Sequence, residues 1–190
     1  MRLPVDLPHA YRLMNHGPTV LVSAAHEGRR NAMAAAWAMP LDFDPPKVAV
    51  VVDKSTFTRG LIEGSGAFAL SVPCRAQADL VFTLGSTSGH QIDKGARLGL
   101  EWIEGSATPA PLVGGCVAWL ECRALAEPAI QARYDLFLGE VVAAWADDRV
   151  FRQGRWQFGP GDDALRTLHH IASGAFFSAS DPIQAQRLPT

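Results

Sequence analysis

Residues 19–37 read Thr19-Val-Leu-Val-Ser-Ala-Ala25, His26-Glu-Gly-Arg-Arg30 and Asn31-Ala-Met-Ala-Ala-Ala-Trp37. The first seven are β-branched, apolar or small, the composition that suits a pleated, half-buried surface. The next five are polar around Gly28, a turn signal. The last seven hold four alanines, which on propensity alone favour a helix. A polar turn this short after an extended run sends the chain back antiparallel, so the spacing predicts a hairpin of two strands. With that hairpin the N-terminal half becomes β-rich and loses any regular βαβ alternation.

Working outward, Pro40 and Asp44-Pro-Pro46 end the second strand. Lys47-Val-Ala-Val-Val-Val-Asp53 follows as a strand with no polar alternation, which predicts burial on both faces. Ser55 or Thr56 caps a short helix reaching Ile62 and stopped by Gly64. Ala67-Phe-Ala-Leu-Ser-Val-Pro73 is another strand, and Leu80, Val81 and Leu84 lie at helical spacing. Residues 85–99 are rich in Gly and Ser and too long for a simple turn. Two long strands are expected over residues 115–125 and 136–146, with Pro128 interrupting their connection. Residues 151–190 show little periodicity and read as a segment laid over the rest. No repeat or linker divides the chain, so residues 1–190 form one domain. The fold class is mainly β (α+β), an antiparallel barrel or Greek key rather than a parallel sheet.

Composition narrows the function classes. Of the 190 residues 48% are hydrophobic and only 19% charged, against about a quarter charged in ordinary domains. The net charge of −2 and pI of 6.3 rule out a disordered chain and leave no positive field for nucleic acid. The uncharged residues 106–120 are broken by Pro109, Pro111, Gly114 and Gly115, so no membrane span is expected. The first residues hold no uninterrupted apolar run, so no signal peptide is read. Cys74, Cys116 and Cys122 cannot all pair. Cys116 and Cys122 are expected on one strand, about 20 Å apart, beyond disulfide reach. Reduced thiols in the cytoplasm are the expectation.

Several common signatures fail. Gly64-Ser-Gly66-Ala-Phe-Ala69 loosely fits a dinucleotide fingerprint, but a strand follows where a helix is required. Gly85-Ser-Thr-Ser-Gly89 has Thr87 in the place of a nucleophilic serine. His26-Glu27 lacks a second histidine four residues after the first, so no metal site is read.

Three segments remain. Asn31, Ala32, Met33, Ala34 and Ala35, leading to Trp37, have side chains small enough for a flat ligand to reach the backbone; the same alanines also serve close packing. Asp53-Lys-Ser-Thr-Phe-Thr-Arg59 opens a helix with hydroxyls and two cations, a phosphate cradle or an ordinary cap with solvated charges. Ser86-Thr-Ser-Gly-His-Gln-Ile-Asp-Lys94 contains one of the chain's three lysines, and Lys54 in the previous segment is another. Lys94 reads equally as a surface charge paired with Asp93. His169-His170, if extended, points one ring to each side, making His170 a catalytic candidate or a packed histidine.

In order and spacing, these pieces resemble the flavin reductase-like, FMN-binding split-barrel family, especially its flavoredoxin branch, over residues 11–177. Asn31-Ala-Met33 with Trp37, Pro45-Pro46, Ser55-x-x-Thr58-x-x-x-Ile62 and Phe68 to Pro73 carry the resemblance. Ser88-Gly89 with Asp93-Lys94, Gly139-Glu140-Val141 and Leu168-His-His-Ile171 complete it. The resemblance implies a six-stranded antiparallel Greek-key barrel, a homodimer and one FMN per subunit near the interface. Residues 31–35 would border the isoalloxazine, largely through backbone amides, with Trp37 nearby. Ser55 and Thr58 would bind the ribityl phosphate, with Lys54 or Arg59 supplying charge. Ser88, Gly89 and Lys94 would close over the flavin. Ala34 departs from the threonine of many relatives, and His90 and Gly95 replace a basic and an aromatic residue.

The activity implied is hydride transfer from NAD(P)H to flavin, which needs stacking and water exclusion more than a protein acid or base. The alternatives are an FMN-holding electron carrier or small-substrate reductase served by a redox partner protein, or a non-catalytic flavin-binding barrel. The uncharged residues 31–41 and 167–180 are where flavin and partner-subunit contacts are expected, and they offer a reason for the scarcity of charge.

Overall fold

The computed structural model describes residues 1–188. β1 (Arg2–Pro4) and a 3₁₀ turn (Leu7–Leu13) precede β2 (Val20–His26), β3 (Arg29–Ala35), β4 (Ala38–Phe43) and β5 (Pro46–Val51). α1 (Phe57–Ser65), β6 (Ala67–Val72), α2 (Ala78–Ser86) and α3 (Lys94–Leu98) follow. A small ribbon of β7 (Trp102–Ile103) and β8 (Leu112–Val113) leads to β9 (Ala118–Ala124), α4 (Pro128–Tyr134) and β10 (Leu136–Asp147). Two further hairpins follow, β11 (Phe151–Arg152) with β12 (Arg155–Trp156) and β13 (Leu168–Ala172) with β14 (Ala175–Ser178).

The hairpin expected at residues 19–37 is present. β2 and β3 pair antiparallel from Val20↔Ala35 to His26↔Arg29. Glu27 (φ 49°) and Gly28 (φ 73°) are both left-handed, the two-residue turn whose twist matches the strands it joins. Sheet pairing therefore overrides the helical preference of the alanines, because each strand face has something to bury.

The main sheet runs β3-β2-β6-β9-β10-β5-β4, every pairing antiparallel. Its two end strands, β3 and β4, are consecutive in the chain and joined by Ala36 and Trp37 alone. In a flat sheet, six gaps of about 4.8 Å would hold those ends about 29 Å apart. Three Cα steps, from Ala35 to Ala38, span at most about 11 Å. The sheet must therefore curl until its ends approach, and because β3 and β4 do not pair, the result is a barrel split along one seam.

Phe68, Leu70, Leu120, Phe137, Val20, Val22, Val48 and Val50 fill the barrel. Leu21 and Ala32, one position out of phase with Val20 and Val22, face a second cluster with Ala69, Val81, Leu84 and Trp119 beneath α2. The middle of β5 is covered on both faces, as its valine run predicts. Gly139 lets β10 close on the core, since a Cβ there would come within 2.5 Å of the Phe68 ring.

Several expectations are corrected. Seven strands lie on the path rather than six, and β1 adds an eighth against the far end of β10. β10 is 12 residues long, enough for β5 and β1 to share one of its edges. Pro40 does not end a strand but lies within β4, which has one strand neighbour and a bulge between Pro40 and Asp42. Pro128 opens α4 at the first helical position, where a missing N–H costs nothing. Residues 85–99 are not all loop. They hold the end of α2 and all of α3, which Asp93 caps by accepting from the Ala96 N–H at 3.0 Å. Cys116 lies before β9 rather than in it; all three cysteines are free and buried. The C-terminal segment is partly regular, and its last two residues, 189–190, lie outside the described residues.

Candidate functional site

The seam of the barrel decides where a ligand fits. β3 has β2 as its one strand neighbour, so along its other edge alternate backbone N–H and C=O groups have no ladder partner. That edge borders a cavity of ≈ 570 Å³ lined by Met33, Ala34, Ala35 and Trp37. α2 contributes Phe82 and Gly85, and the β13–β14 hairpin contributes His170 and Phe176. Asp53, Tyr134 and Asp135 stand at the β5–α4 side. α2 lies close to β3 because both are small at the contact: a Cβ on Gly85 would come within 3.3 Å of the Ala34 Cβ.

Toward the hairpin turn the same strand borders a polar cavity of ≈ 520 Å³, walled by Arg29, Arg30, Asn31, Phe57, Gly89 and His90, with Asp93 its one acidic residue. A neighbouring cavity of ≈ 500 Å³ holds Lys54, Thr56 and the start of α1. The Arg29 guanidinium lies 4.3 Å from the Phe57 ring centroid, and His90 meets the other side of that region with its ring 5.2 Å from Phe57. Gly89 seats its loop, since a Cβ there would come within 2.9 Å of both the Asn31 amide and the Phe57 ring. One strand edge thus runs from an apolar chamber to a cationic one.

The expected site residues divide. Asn31 and Thr58 come together, both buried, with the Asn31 amide donating to the Thr58 hydroxyl at 2.8 Å and tying β3 to α1. Ala32 points into the cluster under α2, so it offers backbone alone. Met33, Ala34, Ala35 and Trp37 line the apolar chamber, Trp37 remaining 75% exposed. Lys54 is exposed and forms no ion pair among the described residues. Ser55 is exposed, its N–H and hydroxyl both donating to Asp53 Oδ1, at 2.7 and 2.6 Å. Those bonds hold the Asp53 carboxyl below its ordinary pKa. Thr56, the cap of α1, donates its hydroxyl to the Asp53 carbonyl and leaves the first turn of the helix uncapped by a side chain.

Arg59 is committed elsewhere. It is buried, donates to Glu63 Oε1 at 2.8 Å and the Gln131 carbonyl at 3.0 Å, and pairs tightly with Asp135. It clamps α1 to the end of α4. Lys94 is also buried, at 2% exposure, with its ammonium donating to the Leu84 carbonyl at 2.9 Å in the last turn of α2. Burial pushes its pKa down to about 8. Ser88 accepts from the His90 N–H at 3.2 Å, a local turn bond.

His169 and His170 do lie on opposite sides of β13. His170 faces the apolar chamber, with its ring against Phe176 and its N–H donated to the Thr19 hydroxyl at 3.0 Å. His169 turns to the Gly17 carbonyl and the His16 ring. The sequence reading missed Phe82, Gly85, Tyr134, Asp135 and Phe176 as lining residues. One local signal existed for the last: Ser173 and Gly174, both with positive φ, are the turn of a second hairpin written as a Ser-Gly dipeptide. Among the described residues no cluster of three or more His, Cys, Asp or Glu is placed to hold a metal ion, and no helix is long and apolar enough to cross a membrane.

The arrangement fits a flat, amphipathic, phosphorylated ligand. Unpaired strand amides match the polar edge of a heterocycle, the Ala34–Gly85 contact keeps the wall flat, and the cationic end suits a phosphate.

Comparison with known proteins places the fold. The pattern of the flavin reductase like domain matches residues 11–164. The uncharacterized protein YddH of Escherichia coli (strain K12) is 48% identical over 96% of this chain and 97% of its own. The crystal structure of an FMN-binding domain of a flavin reductases-like enzyme from Shewanella baltica OS155 superposes with a TM-score of 0.95 at 46% identity, covering 98% of both chains. The flavoredoxin of Desulfovibrio vulgaris (Miyazaki F) superposes with a TM-score of 0.75 at 27% identity, covering 89% of this chain and 90% of that one. The chain belongs to the flavin reductase-like domain family and has its split-barrel fold.

Proposed function

We propose that the protein is an FMN-dependent oxidoreductase that takes hydride from NAD(P)H, acting as a homodimer in the cytoplasm. The observation that carries this reading is the β3 edge itself, with an apolar chamber at one end and a cationic one at the other. When bound, FMN supplies the two-electron carrier, accepting hydride at one ring position.

The chain's own residues do the rest. The free amides along residues 31–35 hold the polar edge of the ring, and Met33, Phe82 and Phe176 keep water off it. Lys54 and the uncapped first turn of α1 hold the phosphate, with Ser55 beside them bonded to Asp53, while Arg59, spent on Glu63 and Asp135, ties α1 to α4 without reaching it. Thr58 serves through its bond to Asn31, which locks α1 against β3. Gly89 allows its loop to close on the same strand. Lys94 braces α2, the outer wall of the chamber, rather than reaching into it. No proton transfer by a side chain is required, and His170 is left to shape the chamber mouth. Trp37 lines the chamber and Met39, Leu41 and Phe43 follow it along β4; the four are exposed at 75, 53, 46 and 64%, and a second copy covers this row.

The purified protein is expected to be yellow or to oxidise NAD(P)H when FMN is added. A colourless protein whose NAD(P)H oxidation does not respond to FMN would sink the reading. A second reading, an FMN-holding carrier or reductase of small neutral molecules, draws on the chamber's charge: no Lys or Arg lines it, Asp53 does, and Asp135 is already neutralised by Arg59, so nothing there attracts a polyanionic dinucleotide. Bound FMN that is reduced by a partner protein and not by NAD(P)H distinguishes it.

A further inference from the structure

On the other side of β13 from the flavin chamber, the 3₁₀ turn Leu7–Leu13 and the β11–β12 hairpin enclose an open cavity of ≈ 390 Å³. Tyr11, Arg12, Asn15, His16, Arg155 and Trp156 form its walls, and no Asp or Glu is among the lining residues. It shares no residue with the chambers along β3.

Two features make this a formed site rather than a chance hollow. The first is that its sides are fastened together. The Trp156 indole N–H donates to the Arg12 carbonyl at 3.1 Å, and Arg12 Nη1 donates to the Gly154 carbonyl at 3.4 Å. Gln153 and Gly154, both with positive φ, make the tight turn that delivers Arg155 to the rim. The second is uncompensated charge. Among the described residues neither Arg12 nor Arg155 is ion-paired, and Arg12 has for side-chain company only the Tyr11 hydroxyl at 3.2 Å. A guanidinium keeps its charge at every working pH and presents a planar fork of donors.

His16 adds no charge at neutral pH. Burial and the neighbouring His169 push its pKa down to about 4, and its Nε2 shares a hydrogen bond with the Thr167 hydroxyl at 2.9 Å. Its Nδ1 is buried with no partner, an uncommon cost for a folded protein to carry.

We propose that this cavity is a second binding site, taking a small oxyanion, a carboxylate or a phosphate, between the guanidinium groups of Arg12 and Arg155. Two cations lining one concavity let an oxyanion take charge-assisted bonds from both, which neither arginine alone supplies. Asn15 supplies a neutral amide at the same rim.

The test is calorimetric titration of the full chain with sodium benzoate and, separately, inorganic phosphate. Saturable binding of benzoate alone assigns a carboxylate ligand, of phosphate alone a phosphate ligand, and of both a general oxyanion site. Arg155→Gln and Arg12→Gln are each expected to weaken that binding at least tenfold while FMN affinity stays unchanged. Arg155 is exposed, so its variant is safe from loss of fold. Failure of both probes to bind, or binding within twofold of the parent in both variants, overturns the proposal. Neither result touches the flavin reading, which is tested by the colour and NAD(P)H response of the unsubstituted protein.

Discussion

At the scale of single residues, two cations that look alike in sequence have opposite situations. Lys54 and Arg59 flank the same hydroxyl-rich segment, yet Lys54 is exposed and unpaired among the described residues while Arg59 is buried among Glu63, Asp135 and two backbone carbonyls. Their substitutions therefore fail differently. Lys54→Ala should weaken FMN binding about tenfold, the value of one charge-assisted contact to phosphate, with thermal stability unchanged. Arg59→Met should leave the flavin affinity of the folded protein within about twofold. It should cost about 1–2 kcal/mol of stability, because half-buried Asp135 and Glu63 lose a shared partner. Fluorescence titration with FMN and denaturant unfolding of both variants separate the two outcomes. A tenfold affinity loss in Arg59→Met, with stability intact, would return Arg59 to the phosphate. Five-residue proximity in sequence gave no way to tell them apart, since what distinguishes them is α4, 70 residues downstream.

At the scale of elements, the junction of α2 and α3 is held by a lysine in an unusual state. Lys94 has one carbonyl partner and a pKa lowered by burial from 10.5 to about 8. Between those values the unfolded chain binds a proton at this group that the folded chain does not, so its contribution makes folding more favourable as pH rises from about 8 to 10.5. Below about 8 the full cost of burying the charge is carried. The stability difference between the parent and Lys94→Met should thus shift toward the parent when denaturant midpoints are compared at pH 7 and pH 9.5. A difference independent of pH would mean that the ammonium stays hydrated. Such a role was not legible beforehand: Lys94 read as a surface ion or a flavin contact, and only packing shows it bracing a helix. Other elements were legible where local chemistry agreed with tertiary need. The β2–β3 hairpin announced itself by its polar turn, and α1 by its Ser/Thr opening. β4 was lost because Pro40 normally ends a strand and is tolerated here at a sheet margin. α4 was lost because Pro128 reads as an interruption until it is placed at a helix start. For the site, the β3 segment was readable from its small residues. Its opposite walls, Phe82, Tyr134, Asp135 and Phe176, come from three distant elements that no spacing rule connects.

At the scale of the whole molecule, the split seam that creates the chamber along β3 also leaves the barrel with an unfinished side. β3 curls round to β4 without pairing, and β4 turns alternate residues Met39, Leu41 and Phe43 outward beyond Trp37. A chain with 19% charged residues has little polar surface to spare, yet it exposes a row of large apolar groups in one place. The proposed homodimer would cover this row, and because Trp37 at its start lines the chamber, the covering subunit would also reach the chamber wall. Sedimentation equilibrium should therefore report twice the 20.4 kDa chain mass at micromolar concentration. Leu41→Glu together with Phe43→Glu should shift the mass to that of one chain, since opposed like charges in a buried contact cost several kcal/mol. Because neither side chain lines the chamber, a loss of FMN affinity in that monomer, of about tenfold or more, would be transmitted through the missing subunit alone. Retained affinity in a proven monomer would show that one chain completes its own site. A parent protein that sediments as a single chain would leave both the apolar row and the shortage of charge without a cause.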